Sequence, residues 1–266
     1  MTQIKKMTVF WTYRSLLFAL VRRQLSLRYA GTALGLLWSV LTPLLMLSIY
    51  SYVFSFVFKA RWQGMDGSIG FALMVFCGLI PFYAIVDILA YSPTLFRTQS
   101  NLIKKMIFPM EILPAVSVMM AFFHMSISLI LLLVFFLGAG ISPGMNIFLL
   151  PLILAPILFW GMGLSILFSL IGVLIRDIVH LVQFITGLFL FLSPIFYSID
   201  RIPQGLQWIL KINPLTYIIE WIRASLIPDS YLPVRGFVFV TIAGGIVFII
   251  SFKMLLKYKS EVVDGI

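Results

Sequence analysis

Ionisable side chains are sparse in this chain, and their spacing matches no catalytic constellation. His124 and His180 lie in separate apolar runs with no carboxylate nearby in sequence, so each reads as a hydrogen-bonded packing residue rather than an acid–base catalyst. A Gly-x-x-x-x-Gly-Lys-Ser/Thr loop, which would cradle phosphates on backbone N–H groups, occurs nowhere. Neither does a His-Glu-x-x-His zinc motif or a Gly-x-Ser-x-Gly nucleophile elbow. The lone cysteine, Cys77, excludes an internal disulfide and a paired-thiolate metal site. What remains is one carboxylate within an apolar run, Asp87, and clustered cations. Arg22, Arg23 and Arg28 precede the first apolar run, and Lys104 and Lys105 precede the third. A carboxylate inside a membrane span marks function by default, or it simply pairs with a base such as Arg28. A proton relay would need several such groups in line, and the sequence supplies one.

The elements that hold these groups follow from apolar length. Residues 112–175 contain no Asp, Glu, Lys or Arg. A lipid core takes about 20 apolar residues per spanning helix, so this stretch holds two crossings, joined by a Gly- and Pro-broken turn at 138–146. Charged residues make up 11% of the chain, against about 25% in soluble domains, which sets the class. The expected fold is all-α: a polytopic membrane protein, one domain over 1–266. Six transmembrane helices are expected at 34–58, 69–96, 112–137, 147–175, 178–199 and 237–252. Tyr50, Tyr52, Phe54, Phe56 and Phe58 alternate as a strand would, but a lone strand cannot satisfy its backbone in lipid. Residues 1–28 are amphipathic and basic, unlike a cleavable signal peptide.

With six spans both termini share one side, and cytoplasmic termini put most of the 19 basic residues inside. The net charge of +10 then reflects orientation and anionic headgroups rather than nucleic acid. Three pieces are not plain spans. Val9, Phe10, Tyr13, Leu16, Leu17, Leu20, Val21 and Leu27 share one helical face, so 9–28 is expected as an interfacial helix in the cytoplasmic headgroup layer. The inner connection at 97–111 mixes exposed Ile, Met and Phe with a lysine pair, as a segment docking into a partner's cleft would. The outer segment at 203–228 is cut by Pro203, Pro214 and Pro228 into two helices too short to span, expected to re-enter the outer leaflet. With no internal repeat and no nucleotide site, the chain reads as half a channel needing a symmetric mate and a separate motor.

The run RYAGTALGLLWSVLTP at 28–43 resembles the opening of the ABC-2 permeases that export polysaccharides, the membrane subunits of O-antigen and teichoic-acid transporters. Residues 102–114 resemble that family's cytoplasmic connection. Arg176-Asp177-Ile178, then 193–197 (SPIFY) and Asn213-Pro214-Leu215, resemble its C-terminal half. The similarity runs through nearly the whole chain in order and is closest to the O-antigen type.

The resemblance implies a homodimer in the cell inner membrane with two cytoplasmic ATPase subunits. ATP and Mg would bind those subunits, and this chain would hold no cofactor or metal and would not be an enzyme. The cargo implied is a lipid-linked glycan moving along the dimer interface among membrane lipids. Coupling to the ATPase is expected at Lys104, Lys105, Phe108, Pro109 and Glu111. Arg22, Arg23 and Arg28 are candidates to hold the lipid pyrophosphate, since a guanidinium fork suits bidentate phosphate contact. Trp38, Tyr50, Tyr52, Phe54 and Phe58 are candidates to line the channel, where ring faces stack on the C–H faces of sugars. Trp208, Asn213, Pro214, Tyr217 and Trp221 fall in the outer gate. The competing readings are an ABC-2 permease for another cargo (teichoic acid, capsule, drug or lipid) and a membrane-embedded transferase. A transferase would need convergent His, Asp or Glu at a membrane face.

Overall fold

The structure, a computed structural model, describes residues 9–58, 62, 67–105, 108–141, 143–228 and 230–266, without the side chains of 55, 56, 67, 68 and 105. Among the described residues every regular element is a helix. A short α1 (Val9–Thr12) leads into α2 (Arg14–Tyr29). A link follows in which Gly31 and Gly35 take φ of 75° and 52°, a left-handed backbone that L side chains resist. The 3-10 turn Gly35–Leu37 then opens α3 (Trp38–Ser51), which widens to a π-helical segment, Tyr52–Val57. Helix α4 (Gly67–Tyr91) passes through the 3-10 turn Ser92–Thr94 into the short α5 (Leu95–Thr98) and α6 (Ser100–Lys105).

The second half begins with α7 (Ile112–Gly138), and a 3-10 segment, Met145–Ile153, leads into α8 (Leu154–Leu174). Then come α9 (Ile178–Phe191), α10 (Gln207–Ile212), α11 (Pro214–Leu226) and α12 (Val234–Gly265).

Five helical stretches are long and apolar enough to cross a membrane: Gly35–Phe54, Ile69–Thr98, Ile112–Gly138, Met145–Leu174 and Val234–Gly265. They match five of the six expected positions. The expected span at 178–199 is different: α9 stops at Phe191, after 14 residues. Ser193-Pro194 explains the stop, because a proline disfavours helical backbone in the residue before it and cannot donate its own N–H. The last helix is longer than expected, 32 residues instead of 237–252. The helix runs on without a break through Lys253, Lys257 and Lys259.

Helix α4 is the axis of the packing, buried on nearly every side by α3, α7, α8, α9 and α11. The most extensive single pair is α8 with α12. Lipid tails are as apolar as leucine, so helices in a membrane associate through close approach and polar contacts rather than hydrophobic expulsion. Both devices meet on α8. A Cβ at Gly163 would lie 2.9 Å from the Phe248 backbone nitrogen of α12, and one at Gly172 only 1.9 Å from the Pro93 carbonyl oxygen. Between those glycines, Ser165 and Ser169 are fully buried. Ser92 Oγ lies 3.0 Å and Ser117 Oγ 3.1 Å from Ser165 Oγ, and Ser169 Oγ donates to the Ser92 carbonyl at 2.9 Å. Three chain segments are thus knotted by serine hydroxyls at one buried point.

The approach at Gly172 is backbone on backbone, so no rotamer change can relieve an added methyl. Gly172→Ala is expected to lower stability by about 3 kcal/mol, at the top of the overpacking range. Gly187→Ala, where nothing lies within 4 Å, should leave the melting temperature unchanged or slightly raised. Thermal unfolding of the two purified variants checks the contrast.

Candidate functional site

Helix α2 seats its apolar face on protein. Val21 packs with Ile112 and Val116 of α7, and Leu16, Leu17, Leu20, Met119 and Met120 surround them. Trp11, Phe18 and Leu27 remain exposed, with Arg14 lying over the Trp11 ring at 5.0 Å. The C-terminal turns of α2 are fixed by polar side chains. Gln24 Nε2 donates to the Tyr91 hydroxyl at 3.1 Å. Arg28 binds Asp87 in bidentate fashion, Nη1 to Oδ2 at 3.2 Å and Nη2 to Oδ1 at 3.1 Å.

His124, on α7, completes the group. Its Nδ1 is 3.2 Å from Asp87 Oδ2, and its Nε2 is 2.9 Å from the Tyr29 hydroxyl. An ionised carboxylate only accepts, so Nδ1 carries the proton and Nε2 accepts from Tyr29. The Tyr29 phenol is protonated at neutral pH, and burial raises its pKa further, so that hydroxyl can donate. The four side chains border a cavity of about 240 Å³ whose other walls include Trp38, Thr42, Tyr83 and Ser128.

Of the three candidate arginines, only Arg28 reaches this cavity; Arg22 and Arg23 are exposed elsewhere on α2. His124, read from sequence as a packing residue without a carboxylate nearby, lies beside Asp87 in space. No spacing signal could have shown it, since the two sit on different helices.

The inner connection is more buried than its sequence suggested. Ile103 and Met110 belong to the core instead of facing a partner, and Phe108 and Pro109 are half-buried. Lys104 is exposed, and its Nζ donates to the Ile266 carbonyl. The Lys105 side chain and residues 106–107 lie outside the described residues. Glu111 is 5% exposed; Oε1 pairs with Lys259 Nζ at 2.7 Å, while Oε2 is buried without a hydrogen-bond partner among the described residues. This carboxylate therefore pins the connection to α12. Arg97 Nη2 donates to the Val173 carbonyl at 2.7 Å, at the C-terminal end of α8, where helix-dipole charge favours a cation.

The candidate channel aromatics divide. Trp38 lines the cavity beside Arg28. Phe54 stacks on Phe196 at 5.2 Å and lies 5.4 Å from Phe71, with Tyr50 and Phe58 at the two ends of this ring cluster. Tyr52 is exposed on another face.

In the outer segment Asn213 caps α11, accepting from Leu215 N–H at 2.9 Å, with Pro214 in the first helical turn. The same amide donates to the Leu192 carbonyl at 3.1 Å and to Ser193 Oγ at 2.8 Å. Tyr217 donates to the Lys211 carbonyl, and Trp221 donates to the Leu149 carbonyl and stacks on Phe237 at 3.9 Å. Trp208 is exposed.

The residue that sequence reading missed is Arg223. It is 3% exposed. Nε and Nη2 donate to the Met74 carbonyl, Nη2 also to the Ile195 carbonyl at 2.9 Å, and Nη1 to Glu220. Its guanidinium lies over the Trp62 ring at 4.3 Å.

Five helices long and apolar enough to cross a membrane, joined by short helices too brief to span, define a helical membrane protein. Residues 15–227 match the ABC-2 type transporter family, and the chain belongs to it. The chain is 30% identical over 208 residues, 77% of its length and 78% of the relative's, to an O-antigen export system permease protein RfbA of Klebsiella pneumoniae. A second protein of that name and organism is 27% identical over 92% of both chains. One from Myxococcus xanthus is 27% identical over 83% of this chain and 84% of its own.

Two substitutions test the anchors. Lys259→Ala leaves Glu111 buried with neither oxygen paired, so amide exchange should quicken in the last turns of α12 and around 108–111. Arg223→Lys cannot serve carbonyls on two segments from one planar fork. It is expected to cost about 2–3 kcal/mol in thermal unfolding, the scale of one lost charged hydrogen bond.

Proposed function

We infer that the chain is the membrane-spanning permease subunit of an ATP-driven exporter, moving a lipid-linked polysaccharide of O-antigen type across the inner membrane. The observation that carries this reading is similarity to O-antigen export permeases over 92% of both chains, in a sequence with no nucleotide-binding loop of its own. Two copies form the conduit, and two cytoplasmic ATPase subunits, which hold ATP and Mg, drive it. Arg28, with Arg22 and Arg23 on the same helix, receives the lipid diphosphate. Lys104, Lys105, Phe108 and Pro109 meet the ATPase, and Glu111 braces that connection from behind. Trp38, Tyr50, Tyr52, Phe54 and Phe58 face the glycan path.

The chain crosses six times, with both termini cytoplasmic and α2 at the cytoplasmic headgroups. Helix α9, at 1.5 Å per residue, covers only about 21 Å of a core roughly 30 Å thick. Residues 192–198 complete the fifth crossing as non-helical backbone, which lipid tolerates only where protein satisfies the polar groups. The contacts of Asn213 with Leu192 and of Arg223 with Ile195 support this reading. Helices α10 and α11 then form a re-entrant pair. In support, Pro214 and Ile218 border a cavity of about 150 Å³ with Phe82 and Leu89 of α4, Trp160 of α8 and Phe189 of α9, so the start of α11 lies against the long helices. At the far end of α11, Pro228 lies beside Gly144 at the 138–146 turn.

Reconstitution with the ATPase in vesicles loaded with lipid-linked glycan tests the reading. Wild type should translocate glycan only with ATP. Phe108→Ala is expected to keep most ATP hydrolysis while glycan transfer falls about tenfold or more; transfer by the permease alone, or unaltered coupling in Phe108→Ala and Lys105→Ala together, would sink it.

A further inference from the structure

We propose that Asp87 is a specificity-determining residue that covers Arg28 against singly charged membrane phosphates and yields it to a doubly charged diphosphate. The inference rests on Arg28 being a phosphate contact, as assigned above. Arg28 and Asp87 are a matched fork and carboxylate, and both terminal guanidinium nitrogens already donate to it. The pair is nonetheless reachable, with side chains 45% and 33% exposed, and the cavity of about 240 Å³ opens beside it.

An uncovered arginine at the inner headgroup layer would be occupied by anionic phosphodiesters, which crowd that surface. A tethered carboxylate competes with them at high effective concentration and with equal charge, so a phosphodiester gains nothing by replacing it. A diphosphate carries at least twice the charge, and its attraction to Arg28 rises in proportion. Discrimination thus comes from a built-in competitor, the repulsive side of specificity.

His124 makes the exchange feasible. Its Nδ1 holds Asp87 Oδ2, the oxygen that Arg28 Nη1 also meets, and its Nε2 is fixed by Tyr29. When the guanidinium turns to a ligand, the carboxylate keeps a donor and is not stranded in an apolar wall. Among the described residues, Arg28, Tyr29, His124 and the Tyr83 phenol are the ionisable groups that border this cavity with Asp87.

The test uses full-length protein in nanodiscs, with a fluorescent polyprenyl diphosphate as probe and phosphatidylglycerol replacing phosphatidylcholine as competitor. Wild type should bind the probe equally well in both lipids. Asp87→Asn is expected to retain phosphatidylglycerol in native mass spectrometry and to bind the probe at least about fivefold more weakly in that lipid than in phosphatidylcholine. His124→Gln leaves the ion pair intact but removes the second holder. It should weaken probe binding several-fold in both lipids, with no added effect in an Asp87→Asn background. Indifference of Asp87→Asn to phosphatidylglycerol overturns the inference, as does unchanged binding in His124→Gln should Asp87→Asn fail to fold. If wild type binds no probe while Asp87→Asn still gathers phosphatidylglycerol, the diphosphate assignment has failed and the guarding role of Asp87 stands.

Discussion

Hydrocarbon offers no water to an unpaired N–H or C=O, and this one constraint orders the molecule. It makes every described element helical and dictates what happens where a helix must break. The break at Ser193-Pro194 frees the carbonyls of Leu192 and Ile195, and two polar side chains from the α10–α11 region come back to meet them. Asn213 does so while capping its own helix, and Arg223 while also reaching the Met74 carbonyl of α4. An arginine held at 3% exposure would be costly without such partners. Here four hydrogen bonds to three acceptors, with an aromatic ring beside them, make it a joint between α4, α11 and the broken segment.

A second consequence concerns where close packing comes from. With lipid as apolar as the side chains, the bundle draws on glycine contacts and the serine cluster on α8. The polar ties of α2 belong to the same economy of contacts. Gln24, Arg28 and Tyr29 each reach a side chain on α4 or α7, so a helix that could float at the headgroups is registered against the bundle at three successive points.

Apolar run lengths made five of the six long elements legible, because a crossing demands about 20 residues whatever its neighbours are. The two short outer helices were legible from Pro203, Pro214 and Pro228, whose backbone effects are local. What stayed hidden depends on contacts distant in sequence. Ile103 and Met110 looked like a docking face and the apolar side of α2 like a lipid face, yet both meet protein. An amphipathic pattern separates water from everything else and cannot tell lipid from a neighbouring helix. Arg223 drew no notice because nothing local announces two carbonyls on other segments. The Asp87–Arg28 pair was anticipated as one option for a lone intramembrane acid, whereas His124 was not, for want of any periodicity linking it to α4.

These contacts form a continuous chain from the inner connection to the candidate anion site. Glu111 is fixed to α12 through Lys259, and α7 begins at the next residue. Ile112 and Val116, in the first turns of α7, are the residues on which Val21 of α2 sits. Further along the same helix, His124 touches Asp87 and Tyr29. A displacement of residues 108–111 therefore acts on α2 at two places, its apolar seat and its polar latch, without passing through lipid. Contiguity supplies only the route: the bias between two arrangements has to come from a partner or ligand that binds one of them more tightly. Arg28 is where such a bias would be felt most directly, since its fork can satisfy Asp87 or an incoming phosphate but not both at full strength.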